Sequence, residues 1–429
     1  MRRLRVFPSG PLRGEVRVPG DKSISHRALL LGALADGGLE ITGFLRCNDT
    51  LATLDCVRRL GVEVEIRDPT SLVVHGRGLH GLAPADGPLD CVRAGTAIRL
   101  LTGILAGQPF ESVLTGDAQL RRRPMGRVVD PLARMGAEIE TTDGHAPLVV
   151  HGRPLHGIEY RMPIASAQVK SAILLAGLFA DSPTTVHQPG PARDHTERML
   201  AAMGAEMTTE GNAVTITPSA LSPVPISIPG DFSSAAFPLV AALLVPGSRI
   251  TLRGVGINPT RTGLLNVLSA MGAEIEVREF HREGNEPVAD LTVRAAGLRG
   301  VEIGGETVVR MIDEFPILAV AATQADGITV VRDAEELRVK ETDRIAAVVE
   351  ELRTLGARIE AQPDGFIVHG PTPLHGASVS SHGDHRLAMA LAVAGLIADG
   401  ITEIDDISCA DDSFPGFVEL MRALGGSYD

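Results

Sequence analysis

Six times along the chain an apolar run closes on a small-residue stop: "ALADG", "ILAG", "LFADS", "LLVPG", "TQADG" and "LIADG". Each run predicts a core helix ended by Gly, Ser or Pro. A strand follows each of them, as in "LEITGF", "ESVLTGD", "TTVHQPG", "SRITLRG", "GITVVRD" and "ITEIDD". Next comes an amphipathic helix that closes on Leu-Gly or Met-Gly, where Gly suits the left-handed cap. In most copies two short strands with period-two alternation complete the unit, as in "AEIETTD" and "PLVVHGR".

The recurrence can be dated along the chain by its signature. "MGAEIE" begins at Met135 and again at Met271, with looser copies at Leu60, Met203, Leu355 and Leu424. Successive copies lie 75, 68, 68, 84 and 69 positions apart. A period this long marks a repeated subdomain rather than a solenoid. A larger repeat sits above it: "VRVPGDKSISHRALLLGAL" resembles "ISIPGDFSSAAFPLVAAL", with Pro19 and Pro229 210 positions apart. The expected architecture is α/β (α+β), two similar domains of three βαβαββ-type repeats each. The expected boundaries are 20–230 for one domain and 1–19 plus 231–429 for the other. A length of 429 residues agrees with two cores rather than one.

Composition narrows the class. Hydrophobic residues make up 44% with only 3% aromatic and no Trp, so the core is expected to be aliphatic. The formal net charge of −13 argues against nucleic acid as the main partner. Cys47, Cys56, Cys91 and Cys409 have neither CxxC nor framework spacing and read as reduced thiols of a cytoplasmic protein. The N-terminus lacks the apolar run of a signal peptide, and no stretch reaches the length of a membrane span. A soluble protein without membrane contact is expected.

Against that acidic background the cations are placed unevenly. The first helices of the units start near "GDKSISHR", "RAGTAIR", "ASAQVKS", "GDFSSA", "MIDEF" and "GDHR"; the second near "CNDT", "RRRPMG", "RDHTE", "NPTR", "KETDR" and "DDSFPG". Capping accounts for Ser, Thr, Asp and Asn at any one start. It does not account for Lys22, Arg27, Arg99, Arg123, Lys340, Arg344 and Arg386, because a cation at a helix N-terminus opposes the dipole. A polyanionic ligand among them removes the conflict, since helix N-termini and cations both favour phosphate and carboxylate. The pattern implies a cleft between domains, lined by helix starts and binding more than one anionic group. "PGDKS" is not a P-loop, because Asp21 precedes the Lys and Gly14 is misplaced. There is no GxSxG, no HExxH and no GxGxxG after a strand. His382 and His385 suggest a metal pair, but no Cys or carboxylate cluster supports it; no metal and no cofactor are expected.

Eight segments in order, "GDKSISHRALLLGAL", "AGTAIRLL", "LTGDAQLRRRPMGRVVDPL", "SAQVKSAILLAGL", "RDHTERML", "LRVKETDRI", "GDHRLAMA" and "SFPGF", resemble the 5-enolpyruvylshikimate-3-phosphate synthase family over essentially the full length. The resemblance implies the enolpyruvyl transferase inside-out barrel and transfer of the enolpyruvyl group of phosphoenolpyruvate to the 5-hydroxyl of shikimate 3-phosphate, without metal. The partners it implies are these two small molecules. It assigns shikimate 3-phosphate contacts to Lys22, Ser23, Arg27, Ser166, Gln168, Asp313 and Lys340. It assigns phosphoenolpyruvate contacts to Lys22, Gly95, Arg123, Gln168, Arg344, His385 and Arg386. Asp313 is the expected base on the 5-hydroxyl and Glu341 the expected proton donor at C3, with Lys22 assisting. Glu341 fits that role only if burial or a neighbouring charge raises its pKa. Ser25 and His26 are read as a cap and local hydrogen bonds. Gly95 leaves room beside phosphoenolpyruvate, so sensitivity to glyphosate is expected.

Three positions depart from the family pattern: Arg93 for Asn, Ala192 for Ser and Asp412 where many members carry Lys. Electrostatic compensation by Arg93 is the expectation. Two rivals stand beside the main reading. The sister transferase acting on UDP-N-acetylglucosamine typically has Lys-Asn where this chain has Lys22-Ser23, and a Cys in the loop corresponding to 116–126; both are missing here. A catalytically silent phosphometabolite-binding homologue is supported by Ala192 and Asp412 and opposed by Lys22, Asp313, Glu341 and Arg386. A monomer is expected.

Overall fold

One sheet pattern recurs throughout. Leu89–Asp90 pairs parallel with Glu111–Thr115, which pairs antiparallel with His145–His151, which pairs antiparallel with Glu138–Thr142. The same order holds for Glu159–Arg161, Thr184–His187, Ala213–Ile216 and Met207–Glu210, and for Glu302–Ile303, Gly327–Val331, Gly365–Gly370 and Ile359–Gln362. The parallel pair needs a crossover, which the apolar helix supplies; the last two strands close as a hairpin. The computed structural model describes residues 2–283 and 285–429. They form two units: a first unit of Gly20–Ile228 with Arg282–Glu286, and a second of Met1–Pro19, Pro229–His281 and Pro287–Asp429. Residues 282–286, expected with the rest of 231–429, therefore group with the first unit. His195 Nδ1 lies 2.7 Å from Glu286 Oε1, both buried, and Ser227 donates to Glu283 at 2.8 Å.

Within each unit one sheet takes its first strand from elsewhere in the chain. In the first unit Ile226–Ser227 runs parallel to Gly38–Thr42, closing the earliest sheet with the latest strand. In the second unit Arg13–Val16 runs parallel to Arg249–Gly256. The sixth sheet is built from Ser378–Val379, Thr402–Ile404 and, antiparallel to the latter, Leu4–Val6; Tyr428 bridges to Val6 on the other side.

Each unit is filled by the three predicted apolar helices: Lys22–Leu34, Gly95–Ala106 and Ala167–Gly177 in the first, Phe232–Leu244, Phe315–Thr323 and His385–Gly395 in the second. Beyond their opening turns they are apolar on all sides because no face meets water; every residue from Ile24 to Leu34 is buried. Gly103 marks how closely two of them approach, for a Cβ there would lie 2.3 Å from the Ala172 carbonyl oxygen. The first core is aliphatic apart from Phe44 and Tyr160. The second concentrates phenylalanine, with edge-to-face contacts of Phe237 and Phe414 with Phe417, and of Phe315 with Phe366. Among the described residues no helix is long and apolar enough to cross a membrane.

Candidate active site

In the first unit three helix starts carry the predicted residues. Asp21 is extended and accepts from the Ile24 backbone N–H at 2.9 Å, so it, not Ser25, caps the Lys22–Leu34 helix. Ser25 donates instead to the Asp21 carbonyl at 2.8 Å and accepts from the Leu45 N–H at 3.0 Å. Lys22, the first helical residue, reaches Asp49 Oδ2 at 2.9 Å; Asp49 sits in the first turn of the Asn48–Arg59 helix. His26 is wholly buried with Nδ1 2.7 Å from Thr53 Oγ1, and burial, Lys22 and Arg27 push its pKa well down, so the ring is neutral. Arg27 is buried one turn further on. Its Nη1 donates to the Ser23 carbonyl at 2.9 Å, its Nε to Thr196 Oγ1 at 2.7 Å and its Nη2 to Ser171 Oγ at 2.9 Å. The guanidinium is thus fixed by residues of two other helices, Ala167–Gly177 and His195–Ala202.

Gly95 opens the next helix, and a Cβ on it would stand 2.6 Å from Arg123 Nη1 and 2.9 Å from Arg99 Nη1. Arg99 donates to Gln168 Oε1 at 2.8 Å, and Gln168 Nε2 donates to Thr96 Oγ1 at 3.0 Å. Ser166 caps the Ala167–Gly177 helix, accepting from the Val169 N–H. Gly95, Arg123 and Gln168 are therefore gathered through Arg99. Ala192 is buried; its carbonyl accepts from Lys170 Nζ at 3.3 Å, and Lys170 also pairs with Glu197 at 2.5 Å. Arg93 donates from Nε to Asp117 Oδ2 at 2.9 Å, the carboxylate that caps the short Ala118–Arg121 helix.

The second unit places its residues around Arg344. This guanidinium, 2% exposed, donates from Nε to Asp384 Oδ2 at 2.8 Å, from Nη2 to Glu341 Oε2 at 2.7 Å and from Nη1 to Asp313 Oδ1 at 3.3 Å. Burial disfavours its charge, but Asp384, Glu341 and Asp313 together outweigh that and hold it firmly protonated. Asp384 also caps the His385–Gly395 helix, accepting from the Arg386 N–H at 2.8 Å. His385 and Arg386 open that helix and are buried, and Arg386 Nη1 has no hydrogen-bond partner among the described residues. A buried guanidinium N–H without an acceptor is costly until an anion meets it. Lys340 is half-buried, four residues before Arg344. Burial pulls its pKa down, with Arg344 adding to the effect and Asp313 and Glu336 opposing it. Asp412 is buried in the Ser408–Asp412 turn. His382 pairs not with His385 but with Glu351, Nε2 to Oε1 at 2.6 Å, and Glu350 lies close by. Contrary to the expectation that no carboxylate cluster lies with it, His382 thus sits beside two carboxylates, both from the Arg344–Thr354 helix, which packing rather than sequence brings there.

Both units thus present cations at helix starts, and the comparisons with known proteins extend along nearly the whole chain. Residues 6–421 match the model of EPSP synthase (3-phosphoshikimate 1-carboxyvinyltransferase). The chain belongs to the EPSP synthase family. A 3-phosphoshikimate 1-carboxyvinyltransferase of Desulforudis audaxviator is 56% identical over 98% of this chain and 99% of its own. One of Geobacter sulfurreducens is 54% identical over 97% and 98%. The solved EPSP synthase structure from Acinetobacter baumannii superposes with a TM-score of 0.90 at 42% identity, covering 100% of this chain and 99% of that one. For an EPSP synthase fold, the sequence reading missed the partners rather than the cations. Asp49, Thr196 and Asp384 resemble ordinary caps and first-turn residues and Ser171 an ordinary small residue of a helix body, and only the packing of separate repeats shows which guanidinium or ammonium each one holds. Arg99 was legible as a cation at a helix start, though not as the residue that joins Gly95 to Gln168.

Proposed function

We propose that this chain transfers the enolpyruvyl group of phosphoenolpyruvate to the 5-hydroxyl of shikimate 3-phosphate, in the pathway to chorismate and the aromatic amino acids. The observation that carries the reading is Arg344 holding Asp313 and Glu341 on one guanidinium, at 3.3 and 2.7 Å. Addition–elimination needs a base and an acid within reach of one reacting centre, and these two carboxylates are mutually placed. Asp313 takes the proton of the 5-hydroxyl as its oxygen bonds to C2 of phosphoenolpyruvate. Glu341 delivers a proton to C3, giving a tetrahedral ketal phosphate. Loss of a C3 proton and cleavage of the C2–O bond to phosphate then leave the enol ether and inorganic phosphate.

The ion pair with Arg344 gives Glu341 a condition to meet. It must take up a proton before it can donate one, and an anionic substrate that engages Arg344 frees it to do so. Ser23, Arg27, Ser166, Gln168, Asp313 and Lys340 serve shikimate 3-phosphate in this reading. Lys22, Gly95, Arg123, Gln168, Arg344, His385 and Arg386 serve phosphoenolpyruvate. The open N–H of buried Arg386 supports it, since a carboxylate or phosphate supplies the missing acceptor. The proposed working state is a cytoplasmic monomer, in keeping with four buried, free cysteines.

Incubation of the purified chain with both substrates should release phosphate stoichiometrically with enolpyruvylshikimate 3-phosphate. Asp313→Asn and Glu341→Gln should each lower kcat by about 10²–10⁴-fold. No phosphate with this acceptor, or with UDP-N-acetylglucosamine, would leave the silent homologue as the answer.

A further inference from the structure

A second carboxylate follows the proposed base in sequence, and the reaction as written does not use it. Asp313 is partly open and meets Arg344, whereas Glu314 is 1% exposed. The Glu314 carboxylate accepts a hydrogen bond from the Ser233 hydroxyl. Ser233 Oγ in turn accepts from Arg261 Nη2 at 2.8 Å, and the same nitrogen donates to Asp231 Oδ1 at 3.0 Å. All four residues are buried at the start of the Phe232–Leu244 helix, which Asp231 caps.

Position 233 repeats position 23. Pro229-Gly230-Asp231-Phe232-Ser233 corresponds to Pro19-Gly20-Asp21-Lys22-Ser23, and the Lys of the first copy is replaced by Phe232, which packs into the core. The second copy of this helix start therefore holds an anion supplied by the chain itself. A buried ionic cluster of this kind is a poor source of stability compared with apolar packing, and its attested use is to fix one arrangement. Here it fixes the turn at 311–314. The Glu314 N–H donates to the Met311 carbonyl at 2.9 Å, and the Glu314 carbonyl accepts the Leu318 N–H at 2.9 Å to begin the Phe315–Thr323 helix. With residue 314 pinned by side chain and backbone, the adjacent Asp313 has little freedom to leave Arg344.

We propose that Ser233, Arg261 and Glu314 are positioning residues for Asp313, an internal brace that aims the base at the 5-hydroxyl. The inference rests on the reading of Asp313 as that base. Polarisation along the relay from guanidinium to hydroxyl to carboxylate strengthens each bond of the brace.

The test is steady-state kinetics of Ser233→Ala, Ser233→Thr, Asp313→Asn and the Ser233→Ala/Asp313→Asn double variant. Ser233→Ala should lower kcat about tenfold with the phosphoenolpyruvate KM within twofold, because a misaimed base slows the chemistry without touching that substrate. Ser233→Thr, which keeps the hydroxyl, should restore most of kcat. On the Asp313→Asn background the Ser233→Ala change should have no further effect, since the brace acts only through the base. If Ser233→Ala does not fold, Glu314→Gln, equal in size, should show the same pattern. A lower melting temperature with kcat unchanged overturns the proposal, as does an equal loss in both backgrounds. If Asp313→Asn itself retains full activity, the base assignment fails and the brace with it. An inactive Asp313→Asn beside an unaffected Ser233→Ala removes the brace alone.

Discussion

Gly95 shows how little room one residue leaves. Because a methyl there would sit 2.6 Å from Arg123 Nη1, Gly95→Ala must displace that guanidinium. The expected result is a phosphoenolpyruvate KM raised about tenfold, roughly 1.4 kcal/mol of binding, with the shikimate 3-phosphate KM within threefold. Glyphosate inhibition, expected for the parent, should weaken in parallel; an unchanged phosphoenolpyruvate KM would remove Arg123 from that site. Lys340 makes a different prediction. Its pKa lies below the ordinary lysine range through burial, so it loses its charge, and its attraction for an anion, earlier as pH rises. The shikimate 3-phosphate KM should therefore climb on the alkaline side, and Lys340→Arg, charged throughout, should flatten that limb in a pH series. Cations such as Lys22 and Arg344 were legible in the sequence because they oppose the dipole of the helix they open. Their partners were not: Asp384 is both a cap and a ligand of Arg344, and sequence shows only the cap.

At the level of elements, the six core helices were legible as continuous apolar runs with small-residue stops, because burial on every side leaves no polar face to interrupt the run. The exchanged strands were harder. Ile226–Ser227 is two residues long, too short for any alternation, so its place beside Gly38–Thr42 is not legible in its own composition. The tip at 282–286 groups with the first unit for a reason equally hidden in sequence, a buried His195–Glu286 pair between residues far apart in the chain. Helix-to-helix contact yields a stability prediction. Gly103→Ala puts a methyl 2.3 Å from the Ala172 carbonyl, and overpacking of that kind costs about 1–3 kcal/mol. Thermal denaturation should show the transition of the first unit lowered by roughly 2–10 °C. An unshifted curve would mean that the Gly95–Ala106 and Ala167–Gly177 helices part more readily than their packing suggests.

For the whole molecule, the net charge of −13 opposes two anionic substrates even though the residues proposed to meet them are cationic. The diffuse repulsion acts over a long range and is screened at about 0.1 M salt, where the Debye length is near 10 Å; buried contacts such as Arg386 are screened far less. Raising ionic strength from about 0.01 to 0.15 M should thus hold or increase kcat/KM for both substrates. A severalfold fall would show that local attraction governs capture. A ribosome delivers the N-terminal strands out of step with the strands they pair with. Leu4–Val6 and Arg13–Val16 are synthesised well before their partners, Thr402–Ile404 and Arg249–Gly256. Residues 20–228 contain all the strands of their own three sheets and can fold while synthesis continues. The two N-terminal strands must meanwhile stay unpaired through most of translation, two exposed β edges in waiting. A bulky fusion at the N-terminus should for that reason harm the late-folding half and leave the early one intact.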